Sequence, residues 1–149
     1  MLNLMEIKTL ENDTGKVVRV LLVDDEESFR NAIARRLERR NMVVSQAPDG
    51  TSCLEYLGAN EADVVLLDMN MPGMSGIDTF KAINKYHPGL QVIFLTGNAG
   101  ITEGVEGIKA GAFDYLSKPI EIDHLAGKIR EAWELKRLEA AREQDKIFR

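Results

Sequence analysis

The chain has 149 residues, of which 44% are hydrophobic and 29% charged, a composition typical of one globular domain with a short addition. Its net charge of -5 gives no general attraction to nucleic acid or to an anionic membrane, and no apolar run approaches the length that spans a bilayer. The single cysteine, Cys53, excludes an intrachain disulfide and a cysteine-rich metal site, which favours a cytoplasmic protein.

Five apolar runs alternate with five segments of helical periodicity. Residues 1–16 precede them as an N-terminal extension, which lacks the basic and continuous apolar regions of a signal peptide. The predicted strands are residues 17–23, 42–47, 63–68, 90–95 and 112–117. The predicted helices are residues 28–40, 51–57, 76–86, a stretch between 96 and 112, and a last helix from 122 toward the C-terminus. This α/β alternation predicts a parallel sheet covered on both faces by right-handed crossover helices.

Two predicted helices carry residues that could be either structural or functional. In the first, Phe29, Ile33 and Leu37 lie four apart and form the apolar face, and the arginines between them are a solvated face or, less favoured, a binding patch. In the second, Cys53 points inward, and we interpret it as a core residue rather than a nucleophile.

The predicted fourth helix carries Gly104 and Gly107 in its interior. Each glycine costs about 0.5–1 kcal/mol of helix stability relative to alanine. We therefore expect this helix to be the least stable and most mobile of the five. Two interpretations remain open: a moving segment that selects the partner, or drift in a surface helix.

The third strand ends on an acid. Residues 64–67 are apolar throughout, as in a strand that is buried on both faces, and Asp68 follows them. Pro72, Gly73 and Gly76 then break the chain. Asp68 is expected at the carboxyl end of a central strand, where open α/β sheets bind ligands, unless it only caps the next helix.

Polar side chains also follow three other predicted strands, and parallel strands bring their carboxyl ends to one edge. The full set is Asp24 and Asp25 after the first strand, Asp68 after the third, Thr96 after the fourth and Lys118 after the fifth. Three carboxylates repel one another unless a cation joins them, and an all-oxygen ligand set suits Mg²⁺. A lysine and a hydroxyl beside such a site suit phosphoryl transfer, in which an aspartate can itself be the nucleophile.

Four motifs support a family resemblance. They read Leu-Leu-Val-Asp-Asp-Glu at 21–26, Val-Leu-Leu-Asp-Met-Asn-Met-Pro-Gly-Met-Ser-Gly at 65–76, Phe-Leu-Thr-Gly at 94–97 and Gly-Ala-Phe-Asp-Tyr-Leu-Ser-Lys-Pro at 111–119. In this order and spacing the chain closely resembles the chemotaxis-regulator-like receiver domains of bacterial two-component signal transduction, over residues 17–135. The resemblance implies a three-layer flavodoxin-like, doubly wound fold whose five-stranded parallel sheet has the order 2-1-3-4-5. Residues 136–149 would be a C-terminal helical extension or linker.

The resemblance also implies a role for each residue of the motifs. Asp68 would be the phosphoacceptor, in a signalling domain that assists its own phosphorylation and dephosphorylation rather than acting as an enzyme. The ligands of Mg²⁺ would be Asp24, Asp25, Asp68 and the backbone carbonyl of Asn70. Lys118, which precedes a cis proline in the family, would pair with the phosphoryl oxygens. The switch residues would be Thr96 and Tyr115, and the residues that tune the phosphoryl lifetime would be Asn70 and Asn98.

The implied phosphoryl donor is a sensor histidine kinase or a histidine phosphotransfer protein, and the output is partner binding or a homodimer through the fourth and fifth helices. We expect no direct nucleic-acid binding and no membrane partner, because no DNA-binding or enzymatic domain follows residue 135. Competing interpretations are a magnesium-dependent small-molecule phosphatase or phosphotransferase, a flavin-binding protein, and an interaction module that does not depend on phosphorylation. The chain has no cap insertion for selecting a small substrate, and its carboxylates would repel a flavin phosphate.

Overall fold

The computed structural model describes residues 17–97 and 101–147. The strands are β1 (Val18–Val23), β2 (Met42–Ala47), β3 (Val64–Asp68), β4 (Gln91–Thr96) and β5 (Asp114–Ser117). The helices are α1 (Glu27–Glu38), α2 (Gly50–Ala59), α3 (Gly76–Tyr86), α4 (Ile101–Lys109) and α5 (Ile122–Ile147). The predicted elements are all found, with ends that differ by a few residues. The N-terminal extension at residues 1–16 and Asn98 lie outside the described residues.

The five strands form one parallel sheet in the order β2-β1-β3-β4-β5. The predicted fold class and strand order are therefore confirmed. Every residue of β3 is buried, because helices cover both faces of the sheet. One apolar cluster joins the sheet to α1 and α5 through residues such as Leu37 and Ile129, and the other joins it to α2 and α3 through Cys53 and Phe80.

The loop after β3 returns sharply to the sheet. A Cβ on Gly76 would lie 2.6 Å from the carbonyl oxygen of Asp68, so only glycine allows α3 to begin this close to the strand end. The Gly76 N–H donates to the carbonyl of Met69 at 3.2 Å, and the Ser75 side chain caps α3 by accepting from the N–H of Asp78 at 3.1 Å. Asp68 therefore lies at the end of β3, close to the start of α3.

The glycines of α4 have a packing role that neither sequence interpretation included. Gly104 and Gly107 are both buried, and they face the rings of Tyr115 and Phe94 respectively. Glycine therefore lets α4 lie directly on the aromatic side chains of β4 and β5. The expected mobility of α4 stays a prediction.

Cys53 is fully buried in the apolar cluster, as predicted for a core residue. Burial raises the pKa of its thiol to about 12, because the thiolate would lose its hydration. The sequence interpretation of Cys53 as structural is therefore supported.

Among the described residues α5 is the longest helix, with 26 residues. Its buried face ends at Trp133, and beyond it Lys136 donates to the carbonyl of Ala62 at 3.0 Å and lies 3.6 Å from Asp63 Oδ1. The helix passes residue 135 without a break, so the division of the chain there stays a prediction. In the described part of the chain we find no helix with the length and apolar character needed to cross a membrane.

Candidate functional site

Three carboxylates meet at the carboxyl edge of the sheet. Asp24 and Asp25 directly follow β1, and Asp68 is the last residue of β3. One side-chain oxygen of each lies within 4.8 Å of the others. Asp24 is fully buried and Asp68 is 5% exposed, whereas Asp25 faces solvent. The structure thus brings together the acids that the sequence placed at two separate strand ends.

The loop between β1 and α1 is held by hydrogen bonds around Asp24. Its Oδ1 accepts from the N–H of Glu26 at 2.8 Å, and its own N–H donates to the carbonyl of Ala47 at 3.2 Å. Arg30 Nη1 donates to the carbonyl of Asp24 at 2.6 Å, while Arg30 Nε donates to Gln46 Oε1 at 3.1 Å. These bonds leave the second oxygen of Asp24 to face the site.

Lys118 enters the same edge from β5. Its Nζ donates to Asp24 Oδ2 at 2.7 Å and lies 3.9 Å from Asp68 Oδ1. Its backbone N–H donates to the carbonyl of Thr96 at 2.7 Å, and the bond to Pro119 is cis, as the resemblance implied. The ammonium thus contacts two of the three clustered carboxylates, and one lysine against three acids leaves the cluster with an excess of negative charge.

The pKa of Asp68 is raised to about 6 by burial first and by the charge of Asp24 second. The charge of Asp25 adds to this, and a hydrogen bond from the N–H of Asn70 at 3.2 Å and the charge of Lys118 oppose it. A further cation would remove the repulsion between the acids. Because all the donors are carboxylate oxygens, with no histidine or cysteine in the cluster, the residues fit a hard ion such as Mg²⁺.

Thr96 and Tyr115 lie on the neighbouring strands β4 and β5. Thr96 is fully buried, and its hydroxyl donates over long distances to the carbonyl of Leu116 at 3.4 Å and to Ser117 Oγ at 3.5 Å. Tyr115 is half-buried with its ring against Gly104. The hydroxyl of Thr96 therefore contacts β5, and the ring of Tyr115 contacts α4.

Asn70 links the loop after β3 to α4. Its side chain is exposed, and its Nδ2 donates to Glu103 Oε2 at 3.4 Å. Glu103 was not among the residues that the sequence analysis singled out, because an acid in the first turn of a helix has an ordinary structural explanation in the helix dipole. The contact places a charged group of α4 beside the mouth of the site.

Two more residues that the sequence analysis did not assign to the site contact it from α1. Phe29 places its ring under Lys118, with the centroid 4.3 Å from Nζ, and Arg30 holds the backbone of Asp24. Phe29 fits the apolar period of α1, so the sequence offered no signal that separates it from Ile33 and Leu37. Its partner is a lysine that lies far along the chain and only meets it in the fold.

The arrangement has a definite chemical capability. A nearly buried carboxylate stands at a loop mouth with a lysine ammonium beside it, and the acids around it can hold a hard cation. Positive groups at such a site can neutralise the oxygens of a phosphoryl group that is transferred to the carboxylate.

Comparison with known proteins agrees with this geometry. The chain is 37% identical to the transcriptional regulatory protein CutR of Streptomyces coelicolor over 113 residues, which are 76% of this chain and 52% of that protein. It is 36% identical to the DNA-binding transcriptional regulator NtrC of Escherichia coli over 113 residues, 76% of this chain and 24% of that protein. A crystal structure of a response regulator receiver domain protein from Clostridium thermocellum matches with a TM-score of 0.77 and 35% identity, covering 81% of this chain and 98% of that one.

The chain spans about half of CutR and about a quarter of NtrC. Both relatives are named as transcriptional regulators, and one as DNA-binding, so the prediction of no direct nucleic-acid binding is not borne out. The match to the response regulator receiver domain family covers residues 20–130, most of the chain. Together with the sheet order and the relatives, this match shows that the chain belongs to the response regulator receiver domain family.

Proposed function

We propose that this chain is a phosphoacceptor switch, in which Asp68 takes a phosphoryl group from a sensor histidine kinase or a histidine phosphotransfer protein in a magnesium-dependent reaction. The observation that carries the proposal is the surroundings of Asp68 at the end of β3. Oxygens of Asp24 and Asp25 lie within 4.8 Å of its own, and Lys118 Nζ lies 3.9 Å from its Oδ1. A nucleophile, a charge partner for the phosphoryl group and a cation-binding set are thus present together.

In the proposed reaction one carboxylate oxygen of Asp68 attacks the phosphorus of a phosphohistidine. The new O–P bond forms as the P–N bond breaks, and the leaving imidazole nitrogen keeps the electron pair and takes a proton from water. Lys118 pairs with the oxygens of the transferred group and offsets their charge. Water later attacks the acyl phosphate and releases inorganic phosphate, which restores Asp68.

The residues that would hold Mg²⁺ are Asp24, Asp25, Asp68 and the backbone carbonyl of Asn70. Bound there, the ion would neutralise charge on the phosphoryl oxygens and on the acids themselves. Arg30 and the N–H of Glu26 keep Asp24 in place for this role through the hydrogen bonds described above.

The proposed switch uses Thr96 and Tyr115. A phosphoryl group on Asp68 adds acceptor oxygens next to a hydroxyl whose present hydrogen bonds are long, 3.4 and 3.5 Å, and therefore weak. If the Thr96 hydroxyl turns to the phosphoryl group, it leaves space next to β5, and the side chain of Tyr115 can turn inward. The population then shifts toward the arrangement that binds the phosphoryl group better.

Asn70 and Asn98 are proposed to tune the lifetime of the phosphorylated state, since both positions flank the site along the chain. For Asn70 the support is its exposed position two residues after Asp68 and its hydrogen bond to Glu103. An amide here can favour or obstruct the water that attacks the acyl phosphate.

The output is proposed to be partner binding, including a homodimer through α4 and α5, in a cytoplasmic signalling protein. Residues 136–149 would then be a helical extension or a linker to a further part of the protein. Support for the second alternative comes from the relatives, of which this chain matches about a half and about a quarter.

The test is the intact mass of the full chain after incubation with Mg²⁺ and acetyl phosphate or phosphoramidate. Wild type should gain one phosphoryl group, which hydroxylamine removes because an acyl phosphate reacts with it. Asp68→Asn should gain none, and a chelator should abolish the gain. Asp63→Asn is the matched control, because Asp63 is a buried aspartate beside the other end of β3.

A phosphoryl group that persists in Asp68→Asn would show that the assignment of the phosphoacceptor is wrong. No gain in wild type from either donor would favour an interaction module that works without phosphorylation. Steady release of phosphate from many small phosphate esters would favour the small-molecule phosphatase.

A further inference from the structure

Phe29 contacts the ammonium group of Lys118, which also pairs with the acids of the site. The ring centroid lies 4.3 Å from Nζ, within the range of a cation–π interaction. The same Nζ donates to Asp24 Oδ2 at 2.7 Å. The ammonium is therefore held both by an aromatic face and by a carboxylate.

We propose that Phe29 is a positioning residue for Lys118, keeping the ammonium over the carboxylates while it changes hydrogen-bond partners. The inference rests on the proposed phosphoryl transfer to Asp68. In that reaction Lys118 must turn from Asp24 toward the incoming phosphoryl oxygens. A ring face attracts a cation without a directional acceptor, so it does not compete with either partner.

The alternative position for the ammonium is solvent. A lysine has a flexible four-carbon stem with a strongly hydrated head, and the side chain of Lys118 is 24% exposed. Phe29 lies in the first turn of α1 and packs on the apolar cluster that joins the sheet to α1 and α5, so its ring occupies one side of the ammonium. Its ring is thus held in place by the fold and not by the lysine.

The first test is the second-order rate constant for phosphorylation by acetyl phosphate in the presence of Mg²⁺. Phe29→Leu should lower it about fivefold, the value expected for losing one partly solvated cation–π contact. Phe29→Tyr, which keeps an aromatic face, should stay within about twofold of wild type. Phe113→Leu is the matched control, because Phe113 packs on the same apolar cluster away from Lys118 and should also stay close to wild type.

The second test does not require phosphorylation. The Hε protons of Lys118, assigned by their loss in Lys118→Met, should be shifted upfield by the ring current of Phe29. Phe29→Leu should return them to the ordinary position, and Phe113→Leu should leave them shifted. This pattern would show that the ring of Phe29 lies on the ammonium of Lys118 in solution, and the rate constants of the first test would show whether that contact assists phosphorylation.

The two tests separate the two proposals. Wild type that is not phosphorylated, with a ring-current shift that depends on Phe29, would overturn the proposed function and with it the positioning role. Phosphorylated wild type with a rate unchanged in Phe29→Leu would overturn only the inference. A rate constant of Phe29→Tyr as low as that of Phe29→Leu would also overturn only the inference. The same holds if the chemical shifts of the Lys118 Hε protons do not change in Phe29→Leu.

Discussion

The backbone of Gly104 lies directly on the ring of Tyr115, so that a Cβ on the glycine would overlap the ring carbons Cγ and Cδ2. Because Cγ is the ring atom nearest the main chain of β5, a movement of the outer ring atoms alone cannot remove the overlap. Gly107 has the same relation to Phe94, at 2.6 Å from Cδ2. The close approach of α4 to the sheet therefore depends on both glycines.

Gly104→Ala should destabilise the protein even though alanine is the better helix former. Overlap with the ring should outweigh the gain in helix propensity and lower the free energy of unfolding by about 1–2 kcal/mol. Urea denaturation measures this. The control is Gly127→Ala in α5, where a new Cβ would have no atom within 4 Å apart from its chain neighbours and the local helix backbone, and alanine should stabilise by about 0.5–1 kcal/mol.

The ring itself can be removed to test the cause. In a Tyr115→Ala background the new methyl group at position 104 can occupy the space from which the ring has been removed. Gly104→Ala should then be neutral or stabilising. An equal loss of stability in both backgrounds would mean that the ring is not what requires glycine.

Asp68→Asn should stabilise the metal-free protein at neutral pH. The pKa of Asp68 is raised to about 6, above its value of about 4 in an unfolded chain, so its ionised form opposes folding. The advantage of asparagine should be about 2 kcal/mol above pH 6 and should fall away as the pH drops toward about 4. Urea denaturation at several pH values in chelator measures it, and an advantage that grows in acid would contradict it.

Mg²⁺ should stabilise wild type against unfolding, because the proposed site exists only where the fold brings the carboxylates together. The increase in melting temperature should be largely lost in Asp24→Asn and Asp68→Asn. Asp63→Asn, at the opposite edge of the sheet, should keep the full increase. An equal increase in all four proteins would place the ion elsewhere.

Asp63→Asn should destabilise the protein in a pH-dependent way. Burial alone would raise the pKa of Asp63, but hydrogen bonds from Arg19 outweigh burial and hold the pKa below its ordinary range. Arg19 donates from its backbone N–H at 2.8 Å and from Nη2 at 3.2 Å. Because Arg19 is half exposed, the loss at pH 7 should be about 1–2 kcal/mol.

The sign of the pH effect follows from the lowered pKa. The stabilising contribution of Asp63 is complete above its unfolded pKa of about 4 and is lost as the pH falls through the lower folded value. Wild type and Asp63→Asn should therefore converge in stability below about pH 4. A difference that stays constant into acid would show that the charge of Asp63 contributes nothing.

Cys53 should react with a thiol reagent such as Ellman's reagent only when the protein unfolds. Its side chain is fully buried and burial raises its pKa to about 12, so at pH 8 the native protein holds almost no thiolate. Reaction in urea should follow the unfolding transition. Rapid reaction of the native protein would contradict the core assignment.

The parts of the molecule that could be predicted from sequence are those that depend on local pattern. A strand buried on both faces, such as β3, is a continuous apolar run, and an acid at its end is therefore visible as an interruption. Asp24 and Asp68 each come at the end of such a run, whereas Lys118 follows the partly buried strand β5. Parallel pairing then brings them to one edge without further information.

Contacts between side chains that share no local pattern could not be predicted. Phe29 matches the helical period of its apolar neighbours, and its partner Lys118 is on another element. In the sequence, Gly104 indicates only a loss of helix stability. Its packing role becomes visible only in the structure, where it lies against the ring of Tyr115. Asn70 in the loop after β3 meets Glu103 in the first turn of α4, a contact that no short motif specifies.

The hydrogen bond between Lys118 and Asp24 spans 94 residues of sequence. During synthesis the acids of β1 and β3 emerge well before β5, so no complete centre can exist until the last strand has joined the sheet. An incomplete or partly unfolded chain lacks the ammonium beside the acids. Under the proposed function, only a domain that has folded completely would therefore be able to accept the phosphoryl group.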